Sequence, residues 1–141
     1  MKIKSFTELT VWRRAQELSL AAYKLTAGFP RREMFGITSQ VRRASASVAA
    51  NIAQGFGRRT TRELLRSVES AAGEMEETRY FLILSRDLGY LGGLRSSIGA
   101  LGFGRPADQS AGAFFESAAE RTVASTSHKS EVTSHGDIHG S

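Results

Sequence analysis

The chemistry within reach of this chain is that of arginine. Arginine pairs stand at Arg42-Arg43 and Arg58-Arg59, Arg62 follows the second pair, and a further pair, Arg13-Arg14, lies near the start. A guanidinium group stays charged and presents a planar fork of N–H donors that fits a phosphate or carboxylate through two parallel hydrogen bonds. Arg58 and Arg59 precede Thr60-Thr61-Arg62-Glu63, the signature of a helix start, where unpaired amides and the helix dipole also favour an anion. Arg42, Arg43, Arg58, Arg59 and Arg62 are therefore the first candidates for contact with a polyanion, with Arg13 and Arg14 second. The alternative is that these arginines pair with glutamates such as Glu63, Glu69 or Glu74 across subunits, because arginine is also favoured at protein interfaces. Both readings stand at this point.

Other groups offer less. Asn51 sits among apolar residues, either as a ligand contact or as a core asparagine that fixes register or assembly state. Gly55-Phe56-Gly57 has the glycines of a phosphate loop but neither a preceding strand nor a following Gly-Lys-Ser/Thr, so it reads as a helix cap. His135, Asp137 and His139 have metal-ligand spacing, yet Gly136 and Gly140 deny them a stable helix, and they read as tail. Glu74, Glu76 and Glu77 cluster with no histidine or cysteine near them, which suits a solvated or subunit-bridging helix face better than acid–base work. Enzymatic function is the least favoured class, and no cofactor or metal is called for.

Three helices must position these residues. Ser5 and Glu8 match a capping box, and Val11, Ala15, Leu18, Ala22, Leu25 and Phe29 then recur at spacings of four and three, one face of a helix with Trp12 widening it. Gly28 and Pro30 end that helix. A second begins near Thr38, with Ile37, Val41, Ala44, Val48 and Ile52 as its stripe. Ser45, Ala46, Ser47, Ala49 and Ala50 keep its other faces slim, and Gly55-Phe56-Gly57 closes it by allowing positive φ at the cap. Thr60 and Glu63 form a second capping box ahead of Leu64, Val68, Ala71, Met75, Thr78 and Leu82. Leu65 and Ala72 thicken that seam, and Asp87-Leu88-Gly89 stops it.

After Leu91 the composition changes. Gly92, Gly93, Gly99, Gly102 and Gly104 crowd one short stretch before Arg105-Pro106, each costing roughly 1 kcal/mol inside a helix relative to alanine. A brief apolar run from Ala111 to Ala119 has the makings of a weak helix, and from Ser125 onward the Ser, Thr, His and Gly content reads as a disordered tail. The expected organisation is a helical core over 1–91, a glycine-rich segment over 92–124 and a tail over 125–141.

Charge follows the same division. Residues 1–95 hold 16 Lys and Arg against 9 Asp and Glu, net +7, and residues 96–141 hold 3 against 5, net −2, within a total of +5. The absence of cysteine excludes disulfides, thiolate metal sites and a cysteine nucleophile, and agrees with a reducing compartment. No apolar run approaches the ~18 residues of a membrane span, and the first residues lack the apolar core of a signal peptide. The expectation is a cytoplasmic protein with no membrane partner.

Several segments taken in order carry a resemblance. These are Phe6 to Leu9 with Val11-Trp12, Tyr23-Lys24-Leu25-Thr26 with Phe29-Pro30, Gly36 to Ala44, Asn51 to Arg59, and Asp87-Leu88-Gly89-Tyr90-Leu91. Together they resemble the small four helix bundle protein family, also described as 23S rRNA-intervening-sequence proteins, over residues 1–91. A related branch is the accessory variability determinant of diversity-generating retroelements. The resemblance implies an antiparallel up-down four-helix bundle assembled as a barrel-like homopentamer with a basic surface for nucleic acid, and a reverse transcriptase as partner in the retroelement branch. It brings no catalytic residues. Gln54 stands where the family usually has glutamate, and the family's long amphipathic fourth helix has no counterpart after Leu91. That break resembles translation in a wrong frame, a reading that fails if neither alternative frame past codon 91 encodes a charged helix with leucines at three-four spacing.

The expected protein is thus all-α, with three clear helices and a degenerate or missing fourth. Its expected role is that of a non-catalytic, self-associating, nucleic-acid-binding accessory protein, with structured RNA favoured over DNA. The alternative is a structural or protein-binding oligomer with no nucleic-acid role.

Overall fold

The computed structural model describes residues 3–58 and 60–92. It contains three α-helices: α1 (Thr10–Thr26), α2 (Ile37–Phe56) and α3 (Thr61–Asp87), with 3₁₀ turns at Phe6–Glu8 and Arg31–Glu33. The chain is all-helical over these residues, as the periodicity predicts. The weak helix at Ala111–Ala119, the tail and the His135, Asp137 and His139 group lie outside them.

Successive helices are antiparallel, and α2 is the one that both others pack against. α1 and α3 make few close backbone approaches to each other, so they occupy diagonal positions with α2 between them. The core follows from the predicted stripes. One cluster joins Val11, Ala15 and Leu18 of α1 to Val48, Ala49 and Ile52 of α2 and to Ala71 and Met75 of α3. The other joins Ala22, Leu25 and Phe29 to Ile37, Val41 and Leu82, with Leu91 closing it. Val11, Val41, Val48 and Ile52 are fully buried, and each such side chain contributes about 1.5–3 kcal/mol of transfer free energy.

Slim, partly polar helix faces are possible because most buried hydroxyls find carbonyls, Thr38 Oγ1 being the exception among the described residues. Ser19 Oγ donates to its own helix at Ala15 O (3.1 Å) and across to Ser45 O on α2 (3.0 Å), tying α1 to α2. Thr78 and Ser85 bond back to Glu74 O and Phe81 O in α3. A hydroxyl satisfied in this way avoids the desolvation cost of an unpaired polar group while occupying little more space than alanine.

At Gly55 the backbone of α2 is in direct contact with α3. A Cβ built there would lie 2.5 Å from Ser67 Cβ and 3.2 Å from Leu64 Cδ1, so the backbone of α2 touches side chains of α3. This corrects the predicted use of the glycine pair. α2 does end at the predicted place, with Gly57 as its C-cap, but Gly55 lies inside the helix and Gly57 has an ordinary φ of −75° in place of the positive φ expected. The left-handed cap is at the end of α3 instead, where Gly89 has φ +79°. There Gly89 N–H reaches Arg86 O and Tyr90 N–H reaches Ser85 O, both at 2.9 Å, a Schellman arrangement at the predicted stop.

The Ser5 cap also differs from expectation. Ser5 Oγ accepts from Thr7 N–H and caps the 3₁₀ turn, while α1 starts after an extended Leu9 with no side-chain cap. The interruption buries Leu9 and sets Phe6 edge-on to Trp12, ring centroids 5.2 Å apart. At the opposite end of the bundle Glu33 accepts from Ile37 N–H at the start of α2 (3.2 Å) and from Tyr90 O–H (3.0 Å), and Tyr90 packs on Phe29.

The contact at Gly55 yields a direct test. Gly55→Ala should lower stability by about 1–3 kcal/mol, the usual cost of overpacking, as read by chemical denaturation. Adding Ser67→Gly, which removes the opposing Cβ, should recover part of that loss.

Candidate nucleic-acid interface

The candidate arginines do not form one patch. Arg42 and Arg43 lie sixteen positions before Arg58 and Arg59 in the sequence, about 24 Å of helix rise. They also face different neighbours. Arg42, half-buried, turns to α1: its Nε donates to Thr26 Oγ1 at 2.9 Å and its guanidinium lies 4.7 Å from the Tyr23 ring centroid. Stacking on an aromatic face fixes the fork while leaving its outer nitrogens available. Arg43 turns to α3, where it pairs with Glu74 at 3.4 Å and with Glu77, its Nε donating to Gln40 Oε1. Two acidic partners within the same chain neutralise it. The predicted alternative of arginine–glutamate pairing therefore holds for Arg43, but inside one subunit.

Arg13 Nε donates to Thr7 O (2.9 Å), which fastens the 3₁₀ turn to α1, and Arg14 pairs with Glu17 (3.0 Å). Arg58 and Arg62 are exposed, and among the described residues neither has an acidic partner. Arg59 lies outside the described residues. Arg66, also exposed and likewise unpaired among the described residues, stands one helical turn beyond Arg62. The i, i+4 spacing of Arg62 and Arg66 places them on one side of α3, about 6 Å of rise apart. That spacing was a usable signal for including Arg66. No local pattern marked Tyr23, whose contact with Arg42 crosses between helices.

The predicted role of open amides at the start of α3 needs correction. The capping box is complete: Glu63 N–H donates to Thr60 Oγ1 (3.2 Å), and Thr60 N–H donates to Glu63 Oε2 (3.3 Å). The protein's own carboxylate therefore occupies the place where an anion was expected, and attraction at this end has to come from the guanidinium groups. Asn51 is half-buried and donates through Nδ2 to Ser47 O of its own helix at 2.9 Å. That bond is local to α2. Glu76 pairs with Arg79 at 3.5 Å, so the three clustered glutamates all serve ion pairs. Among the described residues no group of three or more His, Cys, Asp and Glu could hold a metal, and no helix is long and apolar enough to cross a membrane.

An antiparallel set of helices, slim along its middle element and carrying unopposed arginines where α2 passes into α3, defines a small helical-bundle protein. The sequence model of the 23S rRNA-intervening sequence protein family matches residues 7–96, and the chain belongs to that family. No curated protein matches the sequence.

The Arg43 pairs are roughly 27–47% exposed at their side chains, where ion pairs are worth about 0.2–1 kcal/mol each. Arg43→Ala should accordingly lower stability by no more than about 1–2 kcal/mol in urea titrations, and less at high salt.

Proposed function

We propose that this protein is a non-catalytic, self-associating helical bundle that binds structured RNA through the edge formed by Arg58, Arg62 and Arg66. The observation that carries this reading is the contrast between arginines. Arg43 is neutralised within the chain, whereas Arg58, Arg62 and Arg66 are exposed and unpaired among the described residues. Exposed cations not paired with a carboxylate raise the potential around them and attract an anionic polymer. The family's name refers to 23S rRNA, which favours RNA as that polymer.

The second reading is a structural oligomer with no nucleic-acid role. Leu20, Tyr23, Leu65 and Tyr80, each 43% exposed or more, favour it, because side chains of that size on helix faces are suited to protein contacts.

Titration of a labelled RNA hairpin at several salt concentrations separates the two. The wild type should show a steep loss of affinity with salt. In the variant carrying Arg58→Ala, Arg62→Ala and Arg66→Ala, the slope of log affinity against log salt should fall by about 2–3, as loss of three phosphate contacts requires. Arg31→Ala with Arg32→Ala, at the other end of the bundle, should change the slope less. Binding that is absent at low salt, or indifferent to the triple substitution, leaves the structural reading.

A further inference from the structure

Among the described arginines of the first candidate group, Arg42 alone is held in place without being neutralised. Its Nε donates to Thr26 Oγ1 at 2.9 Å, and its guanidinium stands 4.7 Å from the Tyr23 ring centroid. Thr26 can accept that bond because its own proton goes to Ala22 O at 2.7 Å, which leaves an oxygen lone pair for Arg42. No carboxylate among the described residues pairs with Arg42. One turn away on either helix stand Leu20 and Ala27 of α1 and Ser39 and Ala46 of α2, none of them charged.

The seam that holds this pair is built from α1 and α2. Tyr23 follows Ser19 by four residues and precedes Thr26 by three, and both of those bond to α2, so Tyr23 lies on the flank of α1 that faces α2. A half-buried guanidinium loses hydration, and one hydroxyl and one ring face offset only part of that loss. Nη1 and Nη2 remain for an outside acceptor. With Nε engaged, that acceptor has to approach end-on, in the plane of the fork.

We infer that Arg42 and Tyr23 bind an unpaired guanine of the RNA, Arg42 donating to its O6 and N7 while Tyr23 fixes the fork and offers the base a surface to stack on. Guanine sets two acceptors side by side in one plane, which matches parallel donors held in a fixed plane. Adenine sets an amino donor beside N7 and so opposes one N–H with another. A phosphate needs no fixed plane, and the exposed Arg58, Arg62 and Arg66 suffice for it. The guanine has to be unpaired. The deep, narrow major groove of an RNA duplex hides O6 and N7 from a guanidinium recessed between two helices, whereas a base splayed from a loop or bulge can come to it. The inference rests on the RNA reading above and adds base recognition to it.

Titration of the full chain with two RNA hairpins tests this, the hairpins sharing a stem and a uridine loop and differing only in one central loop base, guanine or adenine. The wild type should bind the guanine hairpin roughly 5- to 100-fold more tightly. Arg42→Lys keeps the charge but loses the fork, and Tyr23→Leu removes the ring that orients it, so each should largely abolish the preference. Tyr23→Phe should keep it. Substituting 7-deazaguanine, which lacks only the N7 acceptor, should weaken wild-type binding about tenfold and Arg42→Lys binding little. Arg58→Ala with Arg62→Ala and Arg66→Ala should weaken both hairpins alike and leave the preference intact. Circular dichroism establishes that each variant keeps its helices, and the 7-deazaguanine measurement on the wild type needs no variant. Equal wild-type affinity for the two hairpins, wild-type indifference to 7-deazaguanine, or a preference that survives Arg42→Lys overturns guanine recognition while leaving RNA binding standing. Failure of both hairpins to bind at low salt overturns the two together.

Discussion

The bundle depends on the missing side chain at Gly55. At that point α2 and α3 approach until a single added carbon would collide with Ser67 and Leu64. Small buried residues recur along both helices. Ala44 and Ala71 are fully buried, and buried serines take the places that larger apolar residues would fill in a wider bundle. Close spacing is also what lets Arg43 reach both Glu74 and Glu77 across the seam. The two apolar clusters, one toward each end, complete a helix pair whose middle is closed by small residues and an ion-paired arginine rather than by bulk.

Much of this was readable from residue order. Apolar spacing of three and four located all three helices to within a few residues, because each has one buried stripe and a clear stop. The Thr60–Glu63 box was legible since both of its bonds are local. What the sequence concealed was tertiary. The glycine pair at Gly55 and Gly57 looks like a cap, and only the nearness of α3 shows that Gly55 is a contact point. Ser5 and Glu8 have capping-box spacing, but burial of Leu9 breaks the chain into a 3₁₀ turn first. Leu65 and Ala72 continue an apolar seam in one dimension while lying on another side of the helix in three.

The same limit applies to the arginines. Sequence placed them at helix ends and in pairs, and charge composition assigned them to the first two-thirds of the chain. Which ones retain charge for an outside partner depends on their neighbours in space. Arg42 and Arg43 are adjacent in sequence, yet one is held against tyrosine and the other is enclosed by two carboxylates. Arg66, which no pair or motif singled out, extends the exposed edge that Arg62 begins.

Tyr90 has a wider consequence through its hydroxyl contact with Glu33. By fastening the chain just beyond α3 to the α1–α2 turn, it fixes the point of departure of all later residues at the pole remote from Arg58 and Arg62. The long α3, about 40 Å of rise, insulates one pole from the other. Loss of the Glu33 carboxylate would accordingly loosen the start of α2 and the segment after α3 together, since Glu33 holds both.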